Sequence, residues 1–467
     1  MSVNAKAAVR SAECDPEPPA RYSSGRAWLI TAALALFMVV NWGDKAALGL
    51  TAHALEKDLG LTSAQYGLAA SSFFFLFGIG TVLGGILVNH IQTRWVLLTM
   101  AVLWAVVQFP MLGAASFSVL VASRVALGLA EGPALPVALH AVLKWFPDEM
   151  RDIPSSIVIG ASAVGLVVAA PVISFIQVAW GWRWCFGAMG IAGLLWTVLW
   201  LCIGREGQVD EPIGPPEGPV QTSTTSSEDH EVTEPPVPYR RVFFARTWLC
   251  FALAGFACYF VTSLSTTWLP EYLESIRGLS TITTGNLIAG VAGFGALAMF
   301  GQGMISRRLI ARGASTRWSR AGVAGVAVAV SGACLVGFTF LEGPLQLVLM
   351  LPAFSLYAAS YAASSAAVAQ ISPAAQRGAV LGVLFGFLGA GGVVAPFVTG
   401  QLVQAAHGSA KGYNAVFLIG AALLAVSGLC VLLFADPERD ARHLAPSVPF
   451  RSSRKSLTVT REKGHSQ

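Results

Sequence analysis

Runs of about 20 predominantly apolar residues, the length that carries a helix across a bilayer, recur along almost the whole chain. Reading on that rule predicts helices over 27–51, 66–88, 95–115, 118–141, 154–176 and 181–204, then over 247–270, 283–304, 320–340, 344–369, 377–402 and 412–435. Several runs are short or broken by Gly and Pro, as in helices that line a cavity. One interval departs from the pattern. Residues 205–245 hold Gly-Gln-Val-Asp-Glu-Pro-Ile-Gly-Pro-Pro and then a Thr-, Ser- and Glu-rich stretch as far as Pro238. Such a segment buries too little apolar surface to fold, so a disordered cytoplasmic linker is expected there. It divides the chain into a tail (1–26), a six-helix half (27–204), a second six-helix half (246–435) and a closing tail (436–467). Thr93-Arg94-Trp95 after the second run returns as Thr316-Arg317-Trp318 before the ninth, a faint internal echo.

Composition makes lipid the solvent for most of the chain. It is 55% hydrophobic and 12% charged, against roughly 25% charged in soluble domains. The expectation is an all-α membrane protein of twelve transmembrane helices. The net charge of +5 does not point to nucleic acid, because the basic residues sit in short connections between apolar runs. Arg94, Lys144, Arg151, Arg307, Arg308, Arg312, Arg317, Arg320 and Arg377 fall on one side; Lys57, Arg183, Arg277 and Lys411 fall on the other. The richer side is expected to be cytoplasmic, with both termini on it, in a bacterial inner (plasma) membrane. Residues 1–25 lack the short apolar core of a cleaved leader. The seven cysteines show no metal or redox spacing, and no cofactor or metal is expected.

A charge at the centre of a spanning helix costs about 2.5–3.5 kcal/mol, and most runs carry none. The first and fourth do. Asp44 and Lys45 lie between Asn41-Trp42-Gly43 and Ala46-Ala47-Leu48. Adjacent side chains point about 100° apart on a helix, so each is expected to seek a partner on another helix or in a watery cavity; snorkelling to the interface is the alternative. Arg124 and Glu131 are seven residues apart, which puts them on one face about 10 Å from each other. An anion or a residue from a second helix has room between them; a structural pairing with charges on neighbouring helices is the alternative. Arg124 offers a bidentate fork to a carboxylate, and Glu131 is placed to take up and release a proton. Pro133 and Pro136 follow and are expected to kink the helix. Gln108, Asn286, Tyr259, Tyr357, Tyr361, Ser364 and Ser365 are hydrogen-bonding candidates for a ligand, or helix-packing contacts.

These residues resemble those of the anion:cation symporter family of the major facilitator superfamily, which includes hexuronate, galactonate, tartrate and phthalate permeases. The likeness covers nearly all of 27–435. It is carried by Asn41-Trp42-Gly43-Asp44-Lys45, by Ser63-Ala64-Gln65-Tyr66-Gly67 with Gly84-Gly85, and by Arg124 to Glu131 running on to Lys144-Trp145-Phe146-Pro147. Gly181-Trp182-Arg183-Trp184 and Trp268-Leu269-Pro270-Glu271-Tyr272-Leu273 extend it. The resemblance implies the major facilitator fold and uptake of an organic anion, driven by a cation gradient, through alternating access. Lys45 stands where the family has arginine, Phe77 where it has a substrate-facing tyrosine, and Phe385 and Gly389 where it has asparagines. Asn89 to Arg94 is a worn form of the family's charged loop. Each departure removes polar contacts, which implies a more apolar or aromatic carboxylate.

The expected function is therefore proton symport of a small organic anion by a monomer in the bilayer. Lys45, Arg124, Trp42, Phe77 and Tyr361 are the candidate substrate contacts, and Asp44 and Glu131 the candidate proton carriers. A proton-coupled exporter and a sugar-acid permease of the same family are the alternatives. The export reading is opposed by Gly160-Ala161-Ser162-Ala163-Val164-Gly165, which lacks the exporters' Gly-Pro-Gly-Gly pattern. A solute sensor usually appends a folded cytoplasmic domain, for which the 205–245 linker and the 436–467 tail look too polar and short, and no nucleophile–base set supports an enzyme.

Overall fold

The computed structural model describes residues 24–88, 90–147, 150–207, 237–373 and 376–444. Among the described residues, twelve helices are long and apolar enough to cross a membrane: Gly25–Leu50, Ser63–Leu87, Thr93–Gly113, Phe117–Leu143, Asp152–Trp180, Trp182–Ile203, Arg246–Thr267, Thr281–Ala311, Arg317–Phe340, Pro344–Ile371, Arg377–Ala405 and Ala410–Phe434. They are numbered here spans 1 to 12, and each matches one expected run. Their ends differ where helix and hydrophobic run part company. Span 8 continues beyond residue 304 through Arg307 and Arg308 to Ala311, because a polar helix end keeps its backbone bonds after leaving lipid. Span 1 stops at Leu50, and a separate amphipathic helix, Ala52–Leu59, follows it. Gly60 ends that helix at φ 62°, a left-handed conformation that costs glycine little. Span 2 then starts on a capping box: the Thr62 hydroxyl accepts from the Gln65 amide, and the Gln65 side chain accepts from that of Thr62. Span 4 is broken between Glu131 and Ala134 at Gly132-Pro133, as expected where proline removes a donor.

The halves meet through spans 2 and 11, 5 and 8, and 1 and 7. These crossings gather at one end. A Cβ on Gly49 of span 1 would lie 1.8 Å from the Thr266 carbonyl of span 7, and one on Gly67 of span 2 would lie 2.5 Å from that of Pro396 in span 11. Tyr66 donates its hydroxyl to the Thr267 carbonyl at 2.9 Å, and His53 Nδ1 lies 3.2 Å from Glu271 Oε1. Toward the opposite, Lys/Arg-rich end the packing thins. Span 11 buries two faces from Gly391 to Val403 but only the stripe Val380, Leu384, Leu388 before it. Span 2 buries only Gly80 and Gly84 in its second half. The halves are pressed together at the end holding Glu271, and spans 2 and 11 bury fewer residues toward the end holding Lys144.

Of the expected linker 205–245, residues 205–207 and 237–245 are described; residues 208–236 lie outside the described residues, as do Cys14, Asn89, residues 1–23 of the first tail and 445–467 of the second. The described segments make contacts that hydropathy does not register. Glu206 accepts from the Thr93 and Arg94 amides at the start of span 3, from the Thr93 hydroxyl at 2.5 Å, and from Lys144 at 2.5 Å. It thereby satisfies helix-end donors that otherwise need water. Residues 237–245 hold the short helix Tyr239–Phe243, whose Val242 is buried. The echo noted above is a structural one: Thr316, at the start of span 9, donates its amide to Glu438 at 2.7 Å. Glu438 follows span 12 as Glu206 follows span 6, in the helix Pro437–Leu444 of the second tail. Arg94 and Arg317 likewise reach the Leu201 and Leu433 carbonyls, each at 3.5 Å.

Candidate functional site

Span 1 is one unbroken helix, so Asp44 and Lys45 are fixed on different faces. Each meets a different helix. Lys45 Nζ lies 2.6 Å from Glu131 Oε2 of span 4 and donates at 2.7 Å to Asn41 Oδ1, one turn back. Its ammonium stands over three aromatic rings, 5.3 Å from the Trp42 centroid and 5.7 Å from those of Phe73 and Phe77. Such rings attract a cation through their quadrupoles. Asp44 points away into the first half, fully buried, and accepts from Gln108 Nε2 of span 3. Gln108 Oε1 in turn accepts from Arg124 Nη2 at 3.3 Å. The Asp44 and Glu131 carboxyls adjoin. Snorkelling does not apply to Asp44, which has no exposed surface.

Arg124 differs from the other three charges. It is 2% exposed, lies over the Phe186 ring at 5.3 Å, and makes no ion pair among the described residues. Its Nε has no partner, and neither have Asp44 Oδ2 and Glu131 Oε1. A charge buried without an opposite charge is costly, so this guanidinium keeps its attraction for an anion. It opens onto a narrow cavity lined by Trp42, Lys45, Leu48, Ala70, Phe73, Phe74, Arg124, Tyr259, Thr262, Thr266 and Thr267. The lining comes from spans 1, 2 and 4 of the first half and span 7 of the second. The N-half wall is aromatic and cationic; the C-half wall carries hydroxyls.

The cavity places the candidate residues unequally. Trp42, Lys45 and Arg124 line it, while Phe77 flanks Lys45 from behind. Tyr361 stands one contact removed, its hydroxyl 2.9 Å from that of Thr262. Ser364 and Ser365 donate to the Tyr361 carbonyl of their own helix. Asn286 is exposed, and Phe385, half-exposed, and Gly389 are not part of the lining. The wall residues Phe73, Phe74, Thr262, Thr266 and Thr267 were not singled out in the sequence. Their signal was present in part, since Thr262 and Thr266 share one face of an apolar helix. Its reading was obscured because each also donates to its own helix, to the Cys258 and Thr262 carbonyls.

A two-halved bundle of twelve spans with buried charges around a central cavity is the architecture of a membrane transporter, not of an enzyme. The chain belongs to the Major Facilitator Superfamily, whose family model matches residues 34–358 and 314–463. It is similar to the probable sulfoacetate transporter SauU of Cupriavidus necator, 28% identical over 418 residues, covering 88% of this chain and 94% of that one. It is also similar to the hexuronate transporter of Bacillus subtilis, 28% identical over 407 residues and covering 85% and 92%. Among solved structures, a bacterial homologue of the human lysosomal transporter Spinster, inward-facing and unoccupied, superposes with a TM-score of 0.72 at 17% identity, covering 90% of this chain and 99% of that one.

Proposed function

We propose that the protein imports a small organic anion together with protons across a bacterial inner membrane, its Lys/Arg-rich end and both termini facing the cytoplasm. The observation that carries this reading is the unequal pairing of the two cavity cations. Lys45 is neutralised by Glu131, whereas Arg124 has only an amide and a ring. An entering carboxylate meets Arg124 first, through the bidentate fork that guanidinium provides. Protonation of Glu131 or of the adjoining Asp44 then removes the competitor for Lys45, whose ammonium becomes a second contact for the anion. Proton and anion enter together because each makes room for the other's charge. Loss of either leaves an unbalanced charge in a low-dielectric site, which opposes turnover of the half-loaded carrier. The thinner packing toward the Lys144 end corresponds on this reading to the state that releases substrate to the cytoplasm.

The wall of Trp42, Phe73, Phe74 and Tyr259 favours a carboxylate with an apolar or aromatic body. The hydroxyls of Thr262, Thr266 and Thr267, together with the names of the relatives, favour a hydroxylated acid as the second reading. One panel separates them: uptake of benzoate, phthalate, glucuronate, galactonate and sulfoacetate into proteoliposomes, with and without an inward proton gradient. Gradient-dependent accumulation of benzoate or phthalate in preference to the sugar acids is expected. Preference for the sugar acids selects the second reading, and no accumulation of any acid overturns symport. Glu131→Gln is expected to abolish accumulation while sparing exchange. Undiminished accumulation removes Glu131 from the mechanism.

A further inference from the structure

We infer that Gln108 is a positioning residue that transmits the protonation of Asp44 to Arg124 by a half-turn of its amide. The inference rests on the proton-and-anion reading above and assigns it a moving part. Gln108 is fully buried, sits in span 3, and is the only hydrogen-bond partner that Arg124 has among the described residues. Its other end meets Asp44. The chemistry of the three groups admits one arrangement while Asp44 is ionised. A carboxylate only accepts, a guanidinium only donates, and an amide carries one end of each kind. The NH2 must face Asp44 and the oxygen must face Arg124, which occupies one N–H of the guanidinium.

A proton on Asp44 changes the count of donors. The carboxyl gains an O–H, and its hydrogen on the oxygen facing Gln108 is satisfied only if the amide turns its oxygen that way. The turn presents NH2 to Arg124. Donor then faces donor, the guanidinium loses its one partner, and the acceptor left within reach is an anion in the cavity. A side chain serving only to pack the helices does not need a carboxylate at one end and a guanidinium at the other.

The other charged groups facing Asp44 are few. Lys45 adjoins it on span 1, Glu131 adjoins it from span 4, and Arg124 of span 4 reaches it through Gln108. Span 5 and span 6 bring Ala169 and Met189 against Gly43, neither of them titratable, and Cys185 of span 6 is 3.5 Å from the Ile173 carbonyl. Protonation is therefore also felt at Glu131 and Lys45, and the test must read Arg124 itself.

Difference infrared spectroscopy between pH 5 and pH 9, on the full-length protein in lipid, reads both ends without a substrate. A carboxylic C=O band that disappears in Asp44→Asn reports the proton, and a guanidinium band that disappears in Arg124→Lys reports the arginine. In the unaltered protein the two are expected to change together. In Gln108→Met, of similar volume, the carboxylic band is expected to remain and the guanidinium shift to be lost. Gln108→Glu keeps a polar group, pairs Arg124 permanently, and is expected to lose the shift as well. The inference is overturned if the guanidinium shift survives in either variant, or if no Asp44 or no Arg124 band changes in the unaltered protein. A failed uptake panel strikes the symport reading and leaves this measurement to decide the role of Gln108.

Discussion

Three carboxyls at the closed end are expected to make the seal between the halves sensitive to pH. Helix Ala52–Leu59 carries His53 and Glu56, and helix Leu269–Ser275 carries Glu271 and Glu274. Each of the three carboxyls has one buried oxygen without a partner. Burial, reinforced by the Glu271 charge, pushes the Glu56 carboxyl up to about 8. Burial raises Glu274 to about 7, and raises Glu271 also, although His53 works against it there. Tyr66 of span 2 and Tyr413 of span 12 face the same cluster. The sign follows from proton counting. When the seal opens, the carboxyls return to water and to their ordinary value of 4.5. The shut state therefore binds more protons. Its advantage is complete below pH 4.5 and declines as pH rises toward about 8, where Glu56 ionises even in the seal. For Glu56 alone the decline is about tenfold per pH unit, at most on the order of a thousandfold over that window. Spin labels at Lys57→Cys and Ser275→Cys, in a background without the seven native cysteines, report the seal as a distance distribution. A single short distance is expected at pH 5 and a growing long component by pH 8, with a smaller long component in Glu56→Gln, where Glu271 and Glu274 still titrate. Distributions that do not move with pH, or that move equally in Glu56→Gln, refute the reasoning.

Two further perturbations test the closure and the helix caps. Gly49→Ala puts a methyl 1.8 Å from the Thr266 carbonyl, so the seal is expected not to shut; the same label pair should remain at its long distance, and uptake should fall by more than tenfold. Glu206→Ala removes acceptors from the first turn of span 3, and loss of a cap costs about 1 kcal/mol. A lower Tm in detergent is expected, and the unaltered protein should lose the same increment in acid. Burial alone would raise Glu206, but hydrogen bonds from Lys144, Thr93 and the Arg94 amide outweigh it and hold the carboxyl below its ordinary range. That contribution is therefore present above pH 4.5 and lost as pH falls through the lowered value. A Tm difference that persists unchanged down to pH 3 counts against the capping account.

The spans were legible because lipid imposes a length on any helix that crosses it, and twelve runs satisfied that length. The buried charges were legible for the complementary reason, that each is expensive enough to need an explanation. Their partners were not. Glu131 and Lys45 are 86 residues apart in sequence, and nothing local in either helix says which of the four charges meet. Spacing within span 4 left an interval between Arg124 and Glu131 without saying that Lys45 of span 1 enters it at one end and Gln108 of span 3 at the other. Glu206 and Glu438 read as the first residues of polar tails, because composition is blind to the helix ends on which a single carboxylate settles.

The same geometry joins the site to the seal. Lys45, held by Glu131, and Gly49, pressed on Thr266, are four residues apart on one unbroken helix, which is close to one turn. Thr266 and Thr267 belong to both places: they line the cavity, and their carbonyls receive Gly49 and Tyr66. A helix turn does not stretch, so a shift of span 1 that separates Lys45 from Glu131 also shifts Gly49 against span 7. On the proposed mechanism, the change of partners at the cavity and the opening of the seal are then one motion of one rigid element. Of the two members of the adjacent pair, Lys45 faces the cavity and Asp44 the interior of its own half, as two neighbouring residues on a helix must when both are charged and both are buried.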